Sequence, residues 1–123
     1  MGRMSSSAVA RFAREQVVEP DAIARARQTA LELGAAPISP SVGAQCAVIA
    51  AATGARSMIE IGTGAGVSGL WLLHGAPDAV LTTIDKEPEH LAAARESFAA
   101  ARVPSSRVRA IRGRAADVLP RMN

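Results

Sequence analysis

Met58-Ile59-Glu60-Ile61-Gly62-Thr63-Gly64-Ala65-Gly66-Val67-Ser68, read together with Val80-Leu81-Thr82-Thr83-Ile84-Asp85, decides the fold of this 123-residue chain. The first four residues form a short β-favouring run that Gly62 cuts off. A glycine-dense loop then leads into Val67 to His74, where Leu70, Trp71 and Leu73 predict a helix. Pro77-Asp78 marks a turn, and Val80 to Ile84 is the clearest strand in the sequence. Pro88 opens a helix whose Leu91, Ala94, Phe98 and Ala101 step by three and four residues. Pro104 to Ser106 reads as a turn and Arg107 to Arg112 as a third strand. Strand, helix, strand, helix, strand predicts an α/β fold with parallel pairing through right-handed crossovers.

Upstream of this unit the pattern is helical. Ser7 to Val18 repeats Val9, Phe12, Ala13 and Val17 at helical spacing, and a second helix is expected from Pro20 to a glycine cap at Gly34. Its apolar face is read as Ile23, Ala26, Ala30 and Leu31. Ser39 and Pro40 have the chemistry of an N-cap and a first-turn proline. The helix they open is expected to carry Val42, Cys46, Ile49 and Ala50 on its apolar side and to stop near Gly54.

Composition bounds the function classes. Hydrophobic residues make up 49% and charged residues 20% of the chain, which suits one globular domain and argues against disorder. The lone Cys46 rules out an intrachain disulfide and a cysteine metal cluster, and is expected to be a buried structural thiol. Neither a membrane-spanning apolar run nor a signal-peptide core is present, so a cytoplasmic protein without a membrane partner is expected. Six arginines (Arg102, Arg107, Arg109, Arg112, Arg114, Arg121) crowd the last 22 residues. With no aromatic residues interleaved to stack bases, they read as solvated helix-end and edge-strand charge, and no nucleic-acid partner is expected.

The loop carries the chemistry. Glycines allow a ligand to approach the backbone closely, and the helix that follows presents free N–H groups. Asp85 stands 23 residues after Gly62, at a strand end, where a carboxylate can accept hydrogen bonds from both hydroxyls of a ribose. Gly64-x-Gly66-x-x-Gly69 also matches the dinucleotide fingerprint, but the strand already ends at Gly62, and Glu60 is ill placed beside a pyrophosphate. A carboxylate there suits a cationic ligand such as S-adenosylmethionine, which carries a sulfonium and an amino group and no phosphate.

Met58 to Ser68 resembles motif I of class I methyltransferases, and more narrowly the small O-methyltransferases related to catechol and caffeoyl-CoA O-methyltransferases. Pro37 to Gly43, Thr82 to Asp85 with Pro88-Glu89-His90, and Gly113 to Pro120 resemble further segments of that family, though an acidic residue is common where Arg114 stands. The resemblance, which runs from about Ile23 to Pro120, implies a Rossmann-like class I methyltransferase fold. Residues 1–57 would be an N-terminal helical segment, and 58–123 the N-terminal half of the cofactor-binding domain, holding strands 1–3 of a normally seven-stranded sheet. It implies S-adenosylmethionine binding by Val42, Glu60, Gly62, Thr63, Gly64, Ser68, Asp85, Lys86 and Ala115. Ser68 would bond the methionine carboxylate, Asp85 the ribose, and the Ala115 region the adenine. Trp71 is read as core, His74 as favourably placed at a helix C-terminus and His90 as a solvated helix position.

By the same resemblance the chain stops before the fourth strand, and a truncated chain is expected. The aspartate that binds a divalent metal, usually magnesium, and the catalytic base of the full-length enzyme would follow Asn123, so no catalytic or metal-binding residue is assigned. The acceptor would be a hydroxyl of a small molecule, and the fragment is expected to bind cofactor without turning over. Strand 1, normally central, would be a bare edge, from which homodimerisation or other self-association is expected. Two alternatives stand beside this reading: an NAD-binding oxidoreductase domain, and a non-catalytic interaction module using the helical N-terminus and the arginine-rich C-terminus.

Overall fold

The computed structural model describes residues 2–122. Three parallel strands, β1 (Ser57–Ile61), β2 (Val80–Asp85) and β3 (Val108–Arg112), form one sheet in the order β1-β2-β3. Glu60 pairs with Thr83 and Ile61 with Ile84 across β1 and β2, while Asp85 pairs with Arg112 across β2 and β3. The crossovers are α4 (Val67–Gly75) and α5 (Pro88–Ala100), and the short helix α6 (Ala115–Val118) follows β3. Before the sheet come α1 (Ser6–Gln16), α2 (Asp21–Glu32) and α3 (Pro40–Ala52). The α/β order and parallel pairing expected from the sequence are the ones observed.

β2 is the centre of the molecule. Leu81, Thr83 and Ile84 are wholly buried, and α2, α4 and α5 supply Ile23, Leu70, Trp71, Leu73, Leu91 and Phe98 around them. The helices preceding β1 share this core with the sheet: Ile23, Ala26, Ala30 and Ala47 belong to the same cluster as Val67 and Leu81. Alanine contributes little apolar area per residue, but it lets backbones approach. The limit is reached between α3 and α4, where a Cβ on Gly75 would lie 2.0 Å from the Ala47 carbonyl oxygen and one on Gly43 would lie 2.2 Å from the Trp71 ring. A polar staple ties α2 to α4 and to the loop before α3. Arg27 holds Glu19 in a bidentate pair at 2.8 Å and donates to the Ile38 carbonyl, and the Trp71 indole N–H donates to Glu19 at 3.1 Å. The Arg27 guanidinium accordingly holds the Glu19 carboxyl below its ordinary value, against the opposing effect of burial.

Several faces differ from expectation. α1 is capped by Ser5, whose hydroxyl accepts from Ala8 N–H, yet it buries no residue; it packs only lightly, against α3, and Val9 and Phe12 are half exposed. In α2, Leu31 points outward while Ile23, Ala26 and Ala30 pack. In α3 the buried row is Gly43, Ala47 and Ala50, not Val42, Cys46 and Ile49. The close contact with α4 admits only small residues, which turns Val42 and Ile49 to the surface and leaves Cys46 partly exposed rather than buried. Ile59 and Ile61 are likewise exposed on the outer face of β1.

The α3–α4 approach makes Gly75 sensitive to a single methyl. Gly75→Ala is expected to cost about 3 kcal/mol by forcing the helices apart. Gly54→Ala, at a left-handed residue in open space, is expected to cost about 1 kcal/mol. Urea denaturation of the two variants checks the order.

Candidate functional site

The site lies at the C-terminal ends of β1 and β2. Gly62 N–H donates to the Ile84 carbonyl at 2.8 Å, continuing the sheet by one bond, and φ of +87° at Gly62 then turns the chain over the strand ends. Gly66 caps α4 at φ +95°, a left-handed conformation that favours glycine, while an added Cβ would find ordinary contact with Ala94 on α5 at 3.5 Å. Between these turns the Gly64 N–H donates to Asp85 Oδ2 at 3.0 Å. The other Asp85 oxygen accepts from Glu87 N–H at 2.9 Å, and His90 Nδ1 lies 3.5 Å from Oδ2. Burial pushes the Asp85 carboxyl up, but the Glu87 and Gly64 amides and the His90 imidazole outweigh it, so Asp85 lies below its ordinary value. His90 is thus not the solvated helix residue expected: the turn at Lys86-Glu87 folds the first turn of α5 back so that His90 meets Asp85 and lines the cleft.

Beneath the loop, Glu60 is buried and no lysine or arginine among the described residues lies within ion-pair distance of it. Its oxygens accept instead from the hydroxyls of Thr83, at 2.7 Å, and Ser68. Thr83 spends its single proton on Glu60, so the Thr63 hydroxyl, 2.7 Å away, donates to Thr83. Burial raises the Glu60 carboxyl above its ordinary value; the Ser68 and Thr83 hydroxyls oppose this only in part, and the charge of Asp85 adds to it.

Two clefts flank this arrangement and share Gly62 and Asp85. The first, of about 270 Å3, runs under the loop between Ala35 to Ile38 and the residues Thr63, Gly64, Ser68 and His90. The second, of about 390 Å3, lies on the other side of the strand ends and is lined by Lys86, Gly113, Arg114 and Ala115. Of the residues singled out from sequence, Gly62, Thr63, Gly64, Ser68 and Asp85 come together in the first cleft, and Lys86 and Ala115 in the second. Glu60 underlies the loop through Ser68. Val42 lies on the exposed side of α3 and lines neither cleft. Thr83 and His90 were not anticipated. A hydroxyl on the buried central strand, opposite Glu60 in register, was the available signal for Thr83. Among the described residues no group of three or more histidines, cysteines or carboxylates could hold a metal ion.

Glu60 and its neighbours carry opposite pH signatures. A carboxyl raised above 4.5 binds its proton more tightly in the folded state, so its contribution to stability falls as pH rises from 4.5 through the raised value. Asp85 and Glu19, lowered from 3.8 and 4.5, contribute stability above those values that is lost as pH falls through the lowered ones. Glu60→Gln is therefore expected to abolish the decline above pH 4.5 while leaving the acid-side loss in place, as read from urea midpoints across a pH series.

No family model matches the chain. A candidate O-methyltransferase of Mycobacteroides abscessus is 49% identical over 121 residues, which are 98% of this chain and 56% of that protein. Among solved structures, a Corynebacterium glutamicum protein superposes with a TM-score of 0.84 at 33% identity, over 94% of this chain and 55% of that one. The O-methyltransferase TomG of Streptomyces achromogenes, involved in tomaymycin synthesis and solved with S-adenosylmethionine, gives 0.84 at 30% identity, over 98% and 57%. The chain spans about half the length of the curated relatives it matches. Over that half, the chain is similar in sequence and in its Rossmann-like fold to O-methyltransferases.

Proposed function

We propose that the clefts around the Gly62–Gly66 loop bind S-adenosylmethionine, and that the activity served is transfer of its methyl group to a hydroxyl of a small-molecule acceptor. The observation that carries this reading is the pair of carboxylates, Glu60 and Asp85, at the loop with no lysine or arginine paired to either. Such a site repels a pyrophosphate and favours a ligand bearing positive charge, which counts against a dinucleotide. The relatives agree, since TomG was solved with this cofactor.

The fit is chemical as well as electrostatic. Asp85 Oδ1 keeps a lone pair beyond the one used by Glu87 for a ribose hydroxyl, and Oδ2, bonded by Gly64 and 3.5 Å from His90, could take a second as the imidazole gives way. Gly62 and Gly64 leave the backbone open, with Thr63 between them held from below by Thr83. Ser68, in the first turn of α4, is the hydroxyl nearest the methionine end, and Glu60 orients it. Lys86 and Ala115 line the cleft that would take the adenine, and Val42 would reach the ligand only from the outer side of α3. When bound, the cofactor supplies an electrophilic methyl group. The chain's own residues hold and orient it, and none of the assigned side chains is a base for the acceptor. The divalent metal, magnesium by resemblance, does not fit the donor set of the described residues. The chain as it stands is accordingly proposed to bind cofactor without turnover. No described helix is long and apolar enough to cross a membrane. A cytoplasmic location remains part of the proposal.

The same reading covers self-association. β1 pairs only with β2, and Ile59 and Ile61 are 54% and 62% exposed beside its open edge, a template for a second copy of the chain.

Titration calorimetry with S-adenosylhomocysteine tests the site. Saturable heat is expected from the wild type, and a loss of about ten- to hundredfold in affinity from Asp85→Asn, the size of a lost hydrogen bond to a charged group. Heat from NADH with none from S-adenosylhomocysteine would reverse the assignment. For the edge, sedimentation velocity is expected to show concentration-dependent association of the wild type and a monomer for Ile59→Lys. A wild type that stays monomeric at high concentration would remove that part of the reading.

A further inference from the structure

The excess positive charge of the chain is concentrated at its C-terminal end, where six arginines face one acid, Asp117, while the rest of the sequence holds more acidic than basic side chains. Two arginines near this region are structural. Arg107 donates to the carbonyls of Ala79 and Ala76 at 2.9 and 3.1 Å, and Arg95, on α5, donates to the Ala110 carbonyl on β3 at 3.2 Å. Arg109, Arg112, Arg114 and Arg121 are different. They are exposed, make no hydrogen bond or ion pair to any described residue, and line a single cleft of about 510 Å3 between β3 and the turn that follows α6. Ile111, Val118 and Met122 line the same cleft, as does one carboxylate, Asp117, which makes no ion pair with any described residue and is outnumbered by the four arginines. The loop is held firmly there, since a Cβ on Gly113 would lie 2.7 Å from Val118.

We propose that this cleft is a binding site for a small phosphate-bearing ligand, its phosphates taken by the four guanidinium groups and its organic part lying on Ile111, Val118 and Met122. Like charges on a merely solvated face diverge into water or pair with acids. Here four guanidinium groups surround one concavity with an apolar lining, and guanidinium forks match phosphate oxygens two at a time. An added peptide strand fits less well, because Arg95 already occupies the Ala110 carbonyl on the outer strand. Single-stranded nucleic acid also fits less well, because no aromatic side chain lines the cleft for a base to stack on. Gly113 and Arg114 line both this cleft and the one assigned to adenine, so the two sites adjoin while using different chemistry.

The test is titration of the full chain with inorganic pyrophosphate and with ATP at low ionic strength, by calorimetry. One-site binding is expected for both, tighter for ATP because its nucleoside reaches the apolar residues. Arg109→Glu with Arg121→Glu should weaken it by at least about tenfold, leaving the binding of S-adenosylhomocysteine and the thermal midpoint unchanged. Arg14→Glu with Arg25→Glu, the same change of net charge placed on α1 and α2, should leave it within about twofold. No saturable binding of either anion, an equal loss in the control pair, or tighter binding of a short single-stranded RNA or of anionic vesicles would each overturn the proposal.

Discussion

The buried carboxylate of Glu60, satisfied by hydroxyls and unmatched by any lysine or arginine, is the constraint around which the functional end of the molecule is arranged. Removing a charge from water costs several kcal/mol unless it is paired. The chain limits that cost by bringing hydroxyl donors from β2 and α4 to one point on β1. Thr83 can serve because parallel register sets it opposite Glu60, and Ser68 because Gly66 turns α4 back over the strand end. Thr63 completes the chain of donors from the loop itself. One acidic residue therefore ties together β1, β2, the glycine loop and the first turn of α4.

The legibility of the sequence followed from the kind of force that shapes each part. The strand, loop, helix and strand from Ser57 to Asp85 could be read because glycine, proline and β-branched residues act locally. The faces of α3 could not be read in the same way. That helix is apolar all round, and the rule that large hydrophobic residues face inward is inverted where two backbones touch, so Gly43, Ala47 and Ala50 are inside and Val42 and Ile49 outside. The periodicity of α1 was real, but a periodic stripe buries only when something covers it, and Phe12 remains 56% exposed. His90 read as a solvated helix position because its partner depends on the path of the Lys86-Glu87 turn, which spacing alone does not specify. Most of the loop residues named from sequence do meet in one cleft, since strand ends and the loop between them converge in any parallel arrangement of this kind.

The two edges of the sheet solve one problem in opposite ways. An edge strand offers unpaired backbone groups to any other strand. On β3 the surroundings are basic, and Arg95 covers an outward carbonyl, which discourages strand addition. On β1 the edge is flanked by the exposed Ile59 and Ile61, and the strand carries no proline or basic residue. The contrast gives the two edges different surroundings, basic at β3 and apolar at β1.

Opposite shifts in two neighbouring carboxyls follow from the donors each receives. Asp85 takes backbone N–H groups, which cannot rotate away, and with the His90 imidazole these favour the ionised form over the effect of burial. Glu60 takes only side-chain hydroxyls, which serve a protonated acid nearly as well as an ionised one, so burial and the charge of Asp85 raise it. Asp85 is thereby fixed as the permanent negative charge at the strand ends, in position for neutral hydroxyl donors. Glu60 is the carboxyl whose ionised form still lacks a cation, and that unmet charge is what distinguishes this loop from one made to cradle phosphate.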